Sequence, residues 1–181
     1  HCGLEILSGR HIPEEWRGSM VTNDFRAHRV CRFTVTEQAS GYTSRQETEL
    51  ITTSHGAFRP IDVKMGPDGA IYVADWYNPI IQHGEVDFRD DRRDHVHGRI
   101  WRITAEGREL SPRVDPSALS IMELLELLTY PEDWIRLHAK LELKTRHPDK
   151  VQSSIDRWLQ RQDSAEEVAF QSVVVLVVAG T

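Results

Sequence analysis

Five carboxylates (Glu85, Asp87, Asp90, Asp91, Asp94), three arginines (Arg89, Arg92, Arg93) and three histidines (His83, His95, His97) crowd into the 22 residues Tyr77–Gly98. Residue types at this density admit several chemistries. Arg92 and Arg93 carry planar guanidinium forks suited to bidentate recognition of a carboxylate or another anion; the competing reading is a solvated loop tied by its own Arg–Asp pairs. Asp87, Asp91 and Asp94, with Glu85 and Asp90 nearby, are hard oxygen donors of the kind calcium takes, although they lack the glycine and the 12-residue spacing of an EF-hand. His83, His95 and His97 are imidazole donors of the kind zinc or copper takes. His83 or His95, held by a carboxylate, would make a general base of the sort that hydride abstraction from an alcohol requires; the alternative is a histidine bonded inside the loop.

The elements that must position this loop are short strands. Ile61, Val63 and Met65 alternate with polar residues, and Ile71 and Val73 resume the alternation after Gly66-Pro67-Asp68-Gly69, which predicts two half-buried strands joined by a tight turn. A further strand is expected over Arg99–Ile103, so the charged loop joins two strands of one sheet. Earlier in the chain the same pattern occurs once more. Gly18–Phe25 matches Gly69–Trp76 position for position, and Arg29–Phe33 matches Arg99–Ile103. The copies are offset by 51 residues at Asp24 and Asp75, a period of the kind shown by β-propeller blades. Between matching strands the second copy holds 19 more residues than the first, and long loops in compact domains are disproportionately functional. The recurrence of Asp24 and Asp75 argues for an architectural role in capping a turn. Trp76, Trp101 and Trp134 are expected in packing, and Gly41–Gln46 and Ser54–Ala57 as linkers around a strand over Thr48–Thr53.

Composition excludes some classes. At 39% hydrophobic and 28% charged the chain is globular, and its net charge of -6 disfavours nucleic acid as a partner. No apolar run approaches the roughly 18 residues of a membrane span, the longest being Val173–Ala179. Cys2 and Cys31, without a Cys-x-x-Cys, are expected as free thiols, with pairing in an oxidising compartment as the alternative. Beginning at His1-Cys2-Gly3, the chain reads as a fragment of a longer protein with more blades before His1.

Past Thr104 the pattern turns helical. Residues 109–118 form a linker between propeller blades (1–108) and an α-helical region (119–181). Ser117 or Ser120 can cap a helix bearing Ile121, Leu124, Leu125, Leu127 and Leu128. Further helices are expected over Trp134–Arg146, from Ile155 onward and over Glu166–Ala179, a series typical of an α-solenoid. Asp133 and Arg136 are expected to pair.

Arg59-Pro-Ile-Asp-Val-Lys-Met-Gly-Pro-Asp-Gly-Ala-Ile-Tyr-Val-Ala-Asp-Trp76 with Gly98-Arg-Ile-Trp-Arg-Ile103 resembles the late blades of planctomycete-type membrane-bound dehydrogenases. These are similar to soluble quinoprotein glucose/sorbosone dehydrogenase propellers. Leu119–Leu143 resembles the HEAT-like repeat that often follows there. The resemblance implies an exported, periplasmic or envelope-associated sugar or alcohol dehydrogenase using pyrroloquinoline quinone and Ca2+. A cytochrome-type electron acceptor is the implied partner, and haem c would lie in a separate domain outside this chain. It implies cofactor contacts by Arg59, with Arg92 and Arg93 as further candidates. Ile61 stands where the family's second arginine would be, and the family's catalytic histidine would come from an earlier blade. A non-catalytic propeller/HEAT module binding carbohydrate or protein, and a lactonase-type hydrolase, are the alternative readings.

Overall fold

The reversal at Gly66–Gly69 joins β6 (Pro60–Met65) to β7 (Ile71–Asp75), and in the computed structural model three groups fix it. Gly69 adopts a φ of +77°, open to glycine at no steric cost. A Cβ on Gly66 would sit 2.2 Å from the Tyr72 ring, so glycine is required there too. Asp68 accepts the Ala70 N–H (3.1 Å), the Tyr72 hydroxyl (3.0 Å) and the Arg102 Nη2–H (2.6 Å). The turn is thereby pinned to β8 (Arg99–Ile103), the third strand of the antiparallel sheet β6-β7-β8.

A second antiparallel sheet runs β1 (Cys2–Ile6), β2 (Met20–Asp24), β3 (Arg29–Gln38) and β4 (Gly41–Gln46), with β5 (Ile51–Thr52) beside the start of β3. The two copies of the repeated sequence fold alike. Met20 pairs Phe33 and Asp24 pairs Arg29 across β2–β3; Ile71 pairs Ile103 and Asp75 pairs Arg99 across β7–β8, the same register throughout. Identical registers follow from identical alternation, since a slip of one residue would turn every apolar side chain outward. Leu7, Val21, Val30, Phe58, Val63 and Val73, all at most 5% exposed, fill one core drawn from both sheets. His11 fastens its rim: Nδ1 meets the Glu109 carbonyl (2.9 Å) and Nε2 accepts the Ala105 N–H (2.9 Å).

Gly41–Gln46, expected as a linker, is instead strand β4, hydrogen-bonded along the distal half of β3 and exposed throughout. With neither face buried it carries no apolar alternation to betray it, and the reversal is made by Ala39 at a φ of 52°. The strand expected over Thr48–Thr53 is regular only at Ile51–Thr52. Trp101, expected in packing, is 41% exposed.

Residues 1–110 and 111–181 are separate compact units, and the described residues are 2–81 and 86–161. In the second unit, α1 (Ile121–Glu126) continues as a 3-10 turn over Leu127–Thr129 and packs against both α2 (Asp133–Thr145) and α3 (Pro148–Leu159). Leu124, Leu125, Leu128, Ile135, Leu143, Ile155 and Trp158 form its core, each at most 1% exposed. Pro148 both prevents α2 from continuing and opens α3 at its first helical position, where the missing N–H has no cost; the third helix therefore begins seven residues before Ile155. Arg136 pairs Asp133. The helix expected over Glu166–Ala179 lies outside the described residues.

Ser120 caps α1 reciprocally, its hydroxyl accepting the Glu123 N–H while the Glu123 carboxylate accepts the Ser120 N–H (2.8 Å). Ser120→Ala is expected to destabilise the helical unit by about 1 kcal/mol, seen as a lower urea midpoint in far-UV circular dichroism of the full chain. An unchanged midpoint would show that burial of Leu124 and Leu125 alone holds the helix.

Candidate functional site

Arg59 immediately precedes β6 and is only 7% exposed. Its Nε–H donates to the Asn78 carbonyl (3.0 Å), Nη1–H to the Phe25 carbonyl (2.8 Å) and Nη2–H to the Pro79 carbonyl (3.1 Å). His28 Nε2 lies 3.3 Å from Nη1, and its other nitrogen meets the Phe58 carbonyl at 2.9 Å. No carboxylate shares this environment within salt-bridge distance among the described residues, and burial lowers the Arg59 pKa from its ordinary value. The guanidinium is thus a strut between the turn after Asp24 and the start of the loop after Asp75. With Nε, Nη1 and Nη2 each donating to a backbone carbonyl and the side chain buried, its fork is not open to a quinone carboxylate, and the residues in hand do not fit that cofactor.

Asp75 is 3% exposed and accepts three donors: the Arg59 N–H (2.7 Å) and Tyr77 N–H (2.9 Å) on Oδ1, and the Trp101 indole (3.0 Å) on Oδ2. Its counterpart Asp24 accepts the Ala27 N–H (3.2 Å) and pairs with Arg29 (3.1 Å). Both carboxylates cap the reversal that follows them, as their recurrence implied.

Within the loop most charges are answered locally. Asp90 takes Arg92 in a two-point pair at 2.8 Å each; that pair, with the Arg92 N–H, holds the Asp90 carboxyl well below the usual range. Arg93, 7% exposed, donates to the Val86 (2.9 Å) and Asp87 (3.0 Å) carbonyls and lies over the Phe88 ring. Arg92 and Arg93 are therefore not brought together as one clamp. Asp87 accepts the Arg89 N–H (2.8 Å), Asp91 stands exposed, and Asp94 serves a different turn. Among the described residues no three His, Cys, Asp or Glu side chains gather as metal ligands. Asp87, Asp91 and Asp94 are not convergent.

His83 lies outside the described residues, and His95 is exposed, with no carboxylate placed against it among the described residues. The histidine that a carboxylate does hold is His97: its Nδ1 is 2.9 Å from Asp94 Oδ2, while Asp94 Oδ1 accepts the Val96 and His97 N–H groups (2.9 Å each). Asp at i with N–H donors at i+2 and i+3 is an Asx-turn, so the spacing Asp94-His-Val-His97 was the available signal. In the neutral tautomer that donates Nδ1–H to Asp94, Nε2 is an acceptor. Asp94 and His97 line a cleft of about 460 Å³ with Trp76, Phe88, Arg93 and His95. On the far side of His97, Tyr77, at a φ of 51°, is met by His97 edge-on, by His55 face-on and by Arg99, whose guanidinium lies 3.6 Å from the ring centroid.

Comparison with curated proteins and with solved structures finds no match to this chain. One family model does match, over residues 1–107, and its description is a domain of unknown function (DUF7133).

Two outcomes are expected of these contacts. Arg59→Lys destabilises the unit by about 2–4 kcal/mol, because a single ammonium cannot reach acceptors on both loops and leaves buried carbonyls unsatisfied; chemical unfolding of the purified variant measures it, and a loss below about 0.5 kcal/mol would deny the strut its role. The N–H groups of Val96 and His97, aided by the His97 ring, pull the Asp94 carboxyl down to about 2. Because the folded value is depressed, the turn's contribution is fully present above the ordinary carboxylate value and is lost as pH falls through about 2. A carboxyl carbon titration by NMR would show this, and a midpoint near 4 would contradict the bonding described.

Proposed function

The chain belongs to the DUF7133 family, whose description assigns no activity, and from its geometry we propose that residues 1–110 are adjoining blades of a β-propeller with a sugar-binding cleft on the inserted loop. The ligand is a polyol of sugar type. The observation that carries the reading is the cleft of about 460 Å³ in which Trp76 and Phe88 supply apolar ring faces and Asp94, His95 and His97 supply polar edges. Sugars offer flat C–H faces and hydroxyl rims, and a small number of polar groups among aromatic ones is the usual composition of such a site. The matching registers of β2–β3 and β7–β8 support the propeller, since blades repeat one sheet pattern. The helices of the second unit are read as HEAT-like.

One observation favours a dehydrogenase as the second reading: Asp94 holds His97 through Nδ1, and the neutral tautomer that donates there would turn Nε2 to a bound hydroxyl as base. In that reading the parent is an exported propeller oxidising a sugar or alcohol and passing electrons to a cytochrome-type acceptor. A quinone would be held by parts of the parent other than Arg59.

Titration of isotope-labelled chain with monosaccharides is expected to shift the Trp76 indole and the Val96 and His97 amides saturably. Phe88→Ala, at a side chain 65% exposed, should weaken binding roughly fivefold without loss of fold. No saturable shift with any sugar would end the binding reading. Dye reduction by the full-length parent with a bound sugar, lost in His97→Gln while binding persists, would select the dehydrogenase.

A further inference from the structure

The two repeats share every register but differ at one edge. In the first, the outer side of β3 is covered: Glu47, Leu50 and Thr53 donate their N–H groups to the carbonyls of Arg32 (2.9 Å), Val30 (2.9 Å) and His28 (3.2 Å), with Arg29 opposite Thr52 and Val30 opposite Ile51. The same segment brings a carboxylate, Glu49, to Arg29 at 2.9 Å. Val30 and Cys31 are 0% and 1% exposed beneath this arrangement.

In the second repeat, Arg99, Ile100 and Trp101 occupy the positions of Arg29, Val30 and Cys31. Among the described residues β8 pairs with β7 alone, and Ile100 and Trp101 are 76% and 41% exposed. Arg99 has lost both carboxylates of its counterpart. Asp75 is turned inward to the Trp101 indole and the Tyr77 N–H, and where Glu49 pairs with Arg29, no carboxylate among the described residues pairs with Arg99. Its guanidinium rests on the Tyr77 ring with donors unspent. Beside it a groove of about 280 Å³ opens between His55, Phe58, Asp75, Arg99 and Trp101. An edge strand unpaired among the described residues, with apolar side chains and a cation that meets aromatic rings but no described carboxylate, is a template for another strand.

We propose that the outer edge of β8 docks one extended partner strand of the same chemistry as Glu47–Thr53, running antiparallel to β8, with apolar β-branched residues against Ile100 and a carboxylate on Arg99. Main-chain bonding supplies the affinity and the Arg99–carboxylate pair sets the register. This edge is separate from the sugar cleft, and its docking does not depend on what that cleft binds.

The probe is a synthetic peptide copying Glu47–Thr53, Glu-Thr-Glu-Leu-Ile-Thr-Thr, added to the isotope-labelled full chain. Saturable shifts and slowed hydrogen exchange confined to Arg99–Ile103 are expected. Arg99→Gln in the chain, or glutamine at the peptide's second glutamate, should each weaken binding about fivefold. The two changes together should cost little more than either alone, as a direct pair requires. Arg99 is exposed, so its substitution leaves the fold intact, and Ile100→Lys provides an independent block of the edge. Absence of binding at any soluble peptide concentration overturns the proposal. So does binding indifferent to both charge changes, or protection of β8 without peptide together with sedimentation as a dimer, which would make a second copy the occupant.

Discussion

A buried guanidinium without a carboxylate is an uncommon way to join two parts of a domain, because the charge must be solvated by dipoles alone. Arg59 meets that demand with carbonyls from two places: Phe25 in the reversal after Asp24, and Asn78 and Pro79 in the loop after Asp75. His28 and the Phe58 carbonyl complete the arrangement from the same neighbourhood. The two reversals occupy equivalent positions in the two repeats, so one side chain fixes the spacing between them. The path of the inserted loop depends on that, since Asn78 and Pro79 are its first turn. Asn78 goes on to accept the Ile80 N–H (3.0 Å) and to donate to the Asp94 carbonyl (3.3 Å), which carries the constraint across to the turn holding His97.

The loop itself is organised by short-range accounting. Asp87, Asp90 and Asp94 each accept a backbone N–H two residues onward, a pattern that converts a run of acidic residues into consecutive Asx-turns. Exposed ion pairs such as Asp90–Arg92 contribute little to stability, and their effect here is to remove charge from competition. Exposed in the cleft are the His95 and His97 rings, Val96 and the Phe88 face. The chemistry offered to a ligand is therefore that of imidazole and aromatic rings beside one tied carboxylate, Asp94, and differs from the strongly ionic surface that composition suggests.

The hairpin at Gly66–Gly69 and the equivalence of the repeats were legible because glycine and alternation leave marks in the sequence. Two features were not. β4 has no buried face, so its polar residues read as a linker until pairing with β3 is seen. Arg59 was read as a cofactor contact from the family resemblance, and a buried strut carries no local mark of its own; the distant carbonyls reveal it. That Asp94 holds His97 and not His95 also has a geometrical reason. His95 is nearer Asp94 in sequence, yet an Asx-turn carries the third residue, not the first, back to the carboxylate.

The insertion has a consequence for the order in which the unit assembles. β2 and β3 are separated by residues 25–28, whereas β7 and β8 are separated by residues 76–98. Closing the longer loop costs about 1.5 kcal/mol more in chain entropy by the logarithmic rule for flexible loops. The first repeat therefore closes its hairpin against the smaller penalty, and β8 is the later strand to be captured, waiting on the turns of the loop to shorten its effective length. The inserted segment has in this way also been placed on the slow side of the folding reaction.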